Sequence, residues 1–139
     1  MYLIAFPLLL IPFALYNMVA LLLDMDFATP LFSVPLLAGR SMTVSTGDLL
    51  VLLGIALLYL EILKATRLAS KAIMDHVLSF ILFIVMVIQF IAMPRAATST
   101  YLILMALSFV DVIGGFTITI RTAQRDIALD RPEHLAPNA

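Results

Sequence analysis

VLSFILFIVMVIQFIAM, residues 77–93, carries no charged side chain and is closed by Pro94. A helix needs roughly 17–25 mostly apolar residues to span a bilayer, and proline cannot continue it. The run is therefore read as a membrane helix, and the rest of the chain extends the pattern. Of 139 residues 63% are hydrophobic and only 12% charged, with a mean hydropathy of +1.13. A soluble domain carries about twice that share of charge, and a chain of this size cannot hide so much apolar surface in its own core. The expected solvent is lipid.

Four stretches qualify as spans, at about residues 2–23, 46–63, 77–93 and 100–120. The expected fold class is all-α: a polytopic four-transmembrane-helix bundle occupying residues 1–129, with a disordered tail at 130–139. Ser45-x-x-Asp48 has the spacing of a capping box and opens the second span. Thr98, Ser99 and Thr100 are candidate N-caps for the fourth. Pro7 and Pro12 are expected to bend the first span. The N-terminus lacks the basic segment of a cleavable signal peptide and reads as a retained span.

Orientation follows from the basic residues. With four crossings, Lys64, Arg67, Lys71, Arg121, Arg125 and Arg131 share the side of the N-terminus, and only Arg40 and Arg95 lie opposite. That asymmetry places both termini in the cytoplasm of a cell whose inner membrane holds the protein. Tyr2 and Tyr59 then belong to the inner interface, Tyr16 and Tyr101 to the outer one, as an aromatic belt. Lys64, Arg67 and Lys71 form a basic inner face for lipid headgroups, joined by Asp75 on one face of a helical connection.

The outer connection, residues 24–45, is long for a small bundle and apolar in its middle, PLFSVPLLAG. Pro30 and Pro35 argue against regular structure there. Three readings follow: a loop resting at the membrane interface, a re-entrant loop, or a surface for a partner.

Few polar groups lie inside the spans. Asn17 and Gln89 fall in the outer halves of the first and third, and Asp111 near the middle of the fourth. Ser108, Asp111, Gly115 and Thr119 share one stripe, which must face protein or water. Gly114 and Gly115 allow another helix backbone to approach. An intramembrane carboxylate marks a functional site by default. Asp111 is read as a proton carrier with Asn17 and Gln89 along its path, as a protonated structural donor to those amides or to a freed carbonyl near Pro12, or as the counter-ion of a partner's base. No Lys or Arg of this chain is expected at its depth. Glu61, three residues before Lys64, reads as one half of an interfacial ion pair on the helix surface.

Chemistry is otherwise sparse. Cysteine is absent, and the two histidines, His76 and His134, are placed at or beyond the inner interface without ligand spacing. No metal or cofactor is expected. No nucleophile elbow, zinc-protease, P-loop or dinucleotide motif occurs, and no basic run suggests nucleic acid. The expected function is a non-catalytic inner-membrane subunit, embedded in lipid and assembling with itself or with a larger complex. The alternative is a small channel or proton-coupled transporter working through Asp111.

Overall fold

The computed structural model describes residues 6–67 and 72–130; side chains are described for these except at positions 67, 72 and 130. The architecture is mostly helical. Helix α1 (Leu10–Asn17) passes into one turn of π-helix (Met18–Leu22), followed by strands β1 (Pro30–Pro35) and β2 (Ser41–Ser45). Helices α2 (Thr46–Arg67), α3 (Ala72–Ala92) and α4 (Ser99–Asp130) complete the chain. Three stretches, Thr46–Thr66, Ile73–Ala92 and Ser99–Leu129, are helical, long enough and apolar enough to cross a membrane. Their exposed faces carry Leu52, Ile55, Ile84, Ile88, Phe109 and Ile113, the side chains that lipid would solvate.

Local chemistry explains where these helices begin. Ser45 Oγ accepts the backbone N–H of Asp48 at 3.2 Å, and the Asp48 carboxylate accepts the N–H of Ser45 at 2.9 Å. This is the reciprocal capping box read from the sequence. At α4, Thr98 Oγ1 accepts the N–H of Tyr101 at 3.2 Å. Pro94 ends α3 and opens a single 3-10 turn, Pro94–Ala96. Helix α4 has 32 residues, roughly 48 Å at 1.5 Å per residue, so its last turns project beyond a hydrocarbon layer of about 30 Å.

The first apolar segment departs from expectation. Pro12 falls in the first turn of α1, where its missing N–H has no acceptor to lose, so it does not bend the helix. The irregularity lies instead at the π turn, where the N–H of Leu23 reaches back to the Met18 carbonyl at 3.3 Å. Together the two pieces, 8 and 5 residues, rise roughly 20 Å. The segment still reaches from the Lys64 end of the bundle to the Arg95 end, because its turn-forming lead-in begins near Lys64 and its far end meets Arg95.

Helix α4 is the centre of the packing, with α2 and α3 on either side of it. The close approach to α2 is made by Gly47 and Gly54. A Cβ on Gly54 would stand 3.0 Å from the side chains of Leu104 and Leu107, and one on Gly47 would meet Thr100 and Phe27. This pair, seven residues apart on α2, forms a small-residue seam against α4 and the Phe27 loop.

At the Arg95 end the core is aromatic. Tyr16 and Tyr101 are 1% and 0% exposed. The Tyr16 hydroxyl donates to the Arg95 carbonyl at 2.7 Å, and its ring stacks on Phe27 at 4.3 Å and meets Tyr101 edge-on at 4.9 Å. The two tyrosines thus lie at the expected end of the molecule but inside it, where their hydroxyls satisfy buried carbonyls, and not in a lipid-facing belt.

Candidate functional site

Two features stand apart from ordinary helix packing. The first is a buried polar cluster toward the Lys64 end of the bundle. Pro7 keeps residues 6–8 out of the helix, which leaves the carbonyl of Phe6 and the N–H of Leu8 without helical partners. Glu61 and Lys64, one turn apart on α2, take them. The Leu8 N–H donates to Glu61 Oε2 at 3.1 Å, and Lys64 Nζ donates to the Phe6 carbonyl at 2.8 Å. Lys64 Nζ also stands 3.2 Å from Glu61 Oε1 and 3.2 Å from Asp75 Oδ2. Glu61 and Asp75 are 3% and 4% exposed. The surface ion pair expected of Glu61 and Lys64 is therefore an interior triad, and Asp75 reaches it from α3, not from a shared helix face.

His76, expected at or beyond the interface, is 4% exposed. Its Nε2 lies 2.7 Å from the Thr119 hydroxyl of α4. Gly115 makes room for it, since a Cβ at that position would collide with the imidazole ring. Gly114, next to it, faces open space. The glycine pair thus admits a histidine ring, where a neighbouring backbone was expected.

Asp111 is 5% exposed and within hydrogen-bond reach of the Ser79 hydroxyl of α3. It lies within electrostatic reach of Glu61, Asp75 and Lys64. The predicted stripe Ser108, Asp111, Gly115 and Thr119 does form the inward face of α4. What sequence reading missed is the opposing wall, Glu61, Lys64, Asp75, His76 and Ser79. Three buried carboxylates from three helices, Glu61, Asp75 and Asp111, are within electrostatic reach of one another. Ser108 Oγ, one turn away from Asp111, is buried without a hydrogen-bond partner.

Asn17 and Gln89 belong elsewhere. Their side-chain amides bond to each other, Asn17 Nδ2 donates to the Phe13 carbonyl at 2.9 Å, and the Tyr101 hydroxyl donates to Gln89 Oε1 at 3.0 Å. Ser79 and Gln89 are ten residues apart on α3, roughly 15 Å, so the four residues expected to form one polar cluster form two. The amide pair floors an open groove between α1 and α3 whose walls are Phe13, Val85, Ile88 and Met93. Of the basic inner face, Lys64 points into the interior; Arg67's side chain and Lys71 lie outside the described residues.

The second feature is the outer connection. Residues 30–45 form an antiparallel hairpin despite their two prolines, which sit at the ends of β1. The turn is closed by Gly39 at φ +71°, with the Gly39 N–H donating to the Leu36 carbonyl at 3.1 Å and Leu36 N–H to Arg40 at 2.7 Å. Such a three-residue turn needs a left-handed residue in that place, which glycine supplies without strain. Phe32 pairs with Val44, and Val34 with Met42. Cross-strand partners share a face, so one face is apolar, while Ser33, Thr43 and Ser41 lie on the other. Phe32, Val34, Leu36 and Met42 are all exposed, and Leu37 at the tip is completely so.

Among the described residues no group of three His, Asp or Glu side chains converges closely enough to hold a metal ion. Comparison with protein-family models, with curated proteins and with solved structures finds no match to this chain.

Proposed function

We propose that this protein crosses the inner membrane four times, with both termini in the cytoplasm, and serves as a non-catalytic subunit that assembles with itself or with a larger membrane complex. The observation that carries this reading is the amphipathic hairpin. A two-stranded hairpin is marginally stable alone, and on the apolar face of this one Val44 is buried while Phe32, Val34, Leu36 and Met42 are left exposed. A surface of that kind is an assembly surface. The groove over Asn17 and Gln89 adds a polar foothold along the membrane face, where amides hydrogen-bond between helices. The uneven distribution of Lys and Arg supports the orientation.

The test is purification of the tagged chain in mild detergent, with mass spectrometry of what accompanies it. A stoichiometric companion, or a defined homo-oligomer, is expected for the natural sequence. Phe32→Ser combined with Met42→Ser should lose it while far-ultraviolet circular dichroism stays the same. A chain that runs as a lone monomer with and without the substitutions would refute the proposal.

A second reading, a small channel or proton-coupled transporter working through Asp111, is favoured by the shared burial of Asp111, Glu61 and Asp75. Intramembrane carboxylates in company are the usual equipment of proton relays. In liposomes containing the pure chain, Asp111→Asn should abolish proton flux and leave insertion unaffected. Equal flux from both proteins, or none from the natural one, would remove this reading.

A further inference from the structure

We infer that the buried cluster between α2, α3 and α4 is a proton-binding site, that Asp111 carries a proton in the resting protein, and that the proton is exchanged at the Lys64 end through Thr119 and His76. The inference goes beyond both functional readings, because proton uptake does not require that protons cross the membrane.

The first argument is charge. The groups facing Asp111 and its neighbours are Glu61 and Lys64 from α2, Asp75, His76 and Ser79 from α3, and Ser108 and Thr119 from α4. The lead-in to α1 adds the Leu8 N–H and the Phe6 carbonyl. Lys64 is the one cation paired with this set among the described residues, and it is shared by Glu61 and Asp75. One cation cannot neutralise three carboxylates, and among the described residues Asp111 forms no ion pair. That residue is as buried as the other two carboxylates, and its hydrogen-bonding neighbour is the Ser79 hydroxyl. An uncompensated buried carboxylate is costly enough that the group takes up a proton instead. The buried Ser108 Oγ, one turn away on the same face, has no hydrogen-bond partner of its own and adds no charge to the site. Among the described residues no three His, Asp or Glu side chains converge as a metal site would need.

The second argument is access. A crevice of about 170 Å³ opens beside the far turns of α4, lined by Thr66, Ile73, Thr119, Thr122 and Asp126. Thr119 belongs both to this crevice and to the 2.7 Å contact with His76 Nε2. The imidazole continues inward, with Nδ1 lying over Gly115, one helical turn from Asp111 on the same face of α4. In the transfer, crevice water gives a proton to Thr119 Oγ1 as the hydroxyl passes its own to His76 Nε2. When Asp111 has lost its proton, the imidazolium gives up its Nδ1 proton to that carboxylate, and the hydroxide left in the crevice is neutralised by solvent. Gly115 is thus a positioning residue: its lack of a side chain seats the ring.

The test is infrared spectroscopy of the full chain in lipid nanodiscs at neutral pH. A protonated-carboxyl band is expected, shifted by heavy-carbon labelling of the aspartate carboxyls in the unsubstituted protein and lost in Asp111→Asn. On transfer to heavy water, Thr119→Val should slow exchange of that band on the order of tenfold or more. Absence of the band, or a band insensitive to aspartate labelling, overturns the proton site whatever the variants do. So does a cluster whose carboxylate bands respond to sodium or potassium replacing choline, which would make the occupant a cation. Unchanged exchange in Thr119→Val overturns the route.

Discussion

Replacing Lys64 by methionine should destabilise the bundle by about 3–5 kcal/mol, the usual cost of removing one partner from a buried ion pair. The ammonium group lies between the carboxylates of Glu61 and Asp75, at 3.2 Å from each, and holds the Phe6 carbonyl as well. Methionine fills similar space but removes the one cation paired with both carboxylates among the described residues, and the donor to the Phe6 carbonyl. The loss should appear as a lower thermal midpoint in detergent and as protease sensitivity of the first segment, whose lead-in is tied to α2 at that point. The compensating experiment is Lys64→Met together with Glu61→Gln and Asp75→Asn. Removing the carboxylate charges should restore much of the stability, because the penalty belongs to the orphaned charges and not to the missing bond energy. If Lys64→Met alone is as stable as the natural protein, the triad is not buried in the folded bundle. The other ion pair, Arg95 with Asp24, is well exposed, and Asp24→Ala should change the midpoint little.

The second large effect separates two neighbouring glycines. Gly115→Ala should cost about 1–3 kcal/mol, the range for overpacking a filled contact. Its Cβ would run into the His76 ring, and the ring is held from behind by its bond to Thr119 and its contact with Phe116. Gly114→Ala meets nothing within 4 Å, and by helix propensity alone it should stabilise α4 by up to about 1 kcal/mol. Opposite signs in thermal unfolding of the two single variants are the expected result. The same sign for both would place the α3–α4 contact elsewhere. His76→Ala in the Gly115→Ala background should recover part of the loss, since it removes the clash.

How far the molecule was legible from its residues depends on the range of the interactions involved. The membrane helices were legible because hydropathy and length act locally: residues 77–93 announce a span without reference to any other segment. Capping was legible for the same reason. Ser45 and Asp48, three residues apart, make their reciprocal bonds whatever surrounds them, and Thr98 caps α4 through a bond to Tyr101. The stripe Ser108, Asp111, Gly115 and Thr119 was legible as one helix face, because a period of 3.6 residues dictates it.

The hairpin was not read from Pro30 and Pro35, because two prolines forbid a central strand but not the ends of an edge strand. Its signal lay in Gly39 and in the matching alternation of Phe32 and Val34 with Met42 and Val44. The interior cluster was missed for a different reason. Glu61, Lys64, Asp75 and His76 stand near helix ends in the sequence, where charged residues ordinarily meet water. Burial of these groups depends on how far α2 and α3 run past each other and on the lead-in at residues 6–8 folding back over them. The amide pair of Asn17 and Gln89, likewise, depends on which turn of α1 meets which turn of α3.

By itself, then, the sequence determined that this chain is rich in membrane-length helices, where α2 and α4 are capped, where proline ends α3, and that Asp111 must face inward. Each of these is settled by covalent neighbours, by helical period and by the cost of placing charge in hydrocarbon. The tertiary structure alone decided what Asp111 faces. The axial register of three helices and one lead-in segment brings Lys64, Glu61, Asp75 and His76 around it, and register is a property of packed surfaces that no single segment contains.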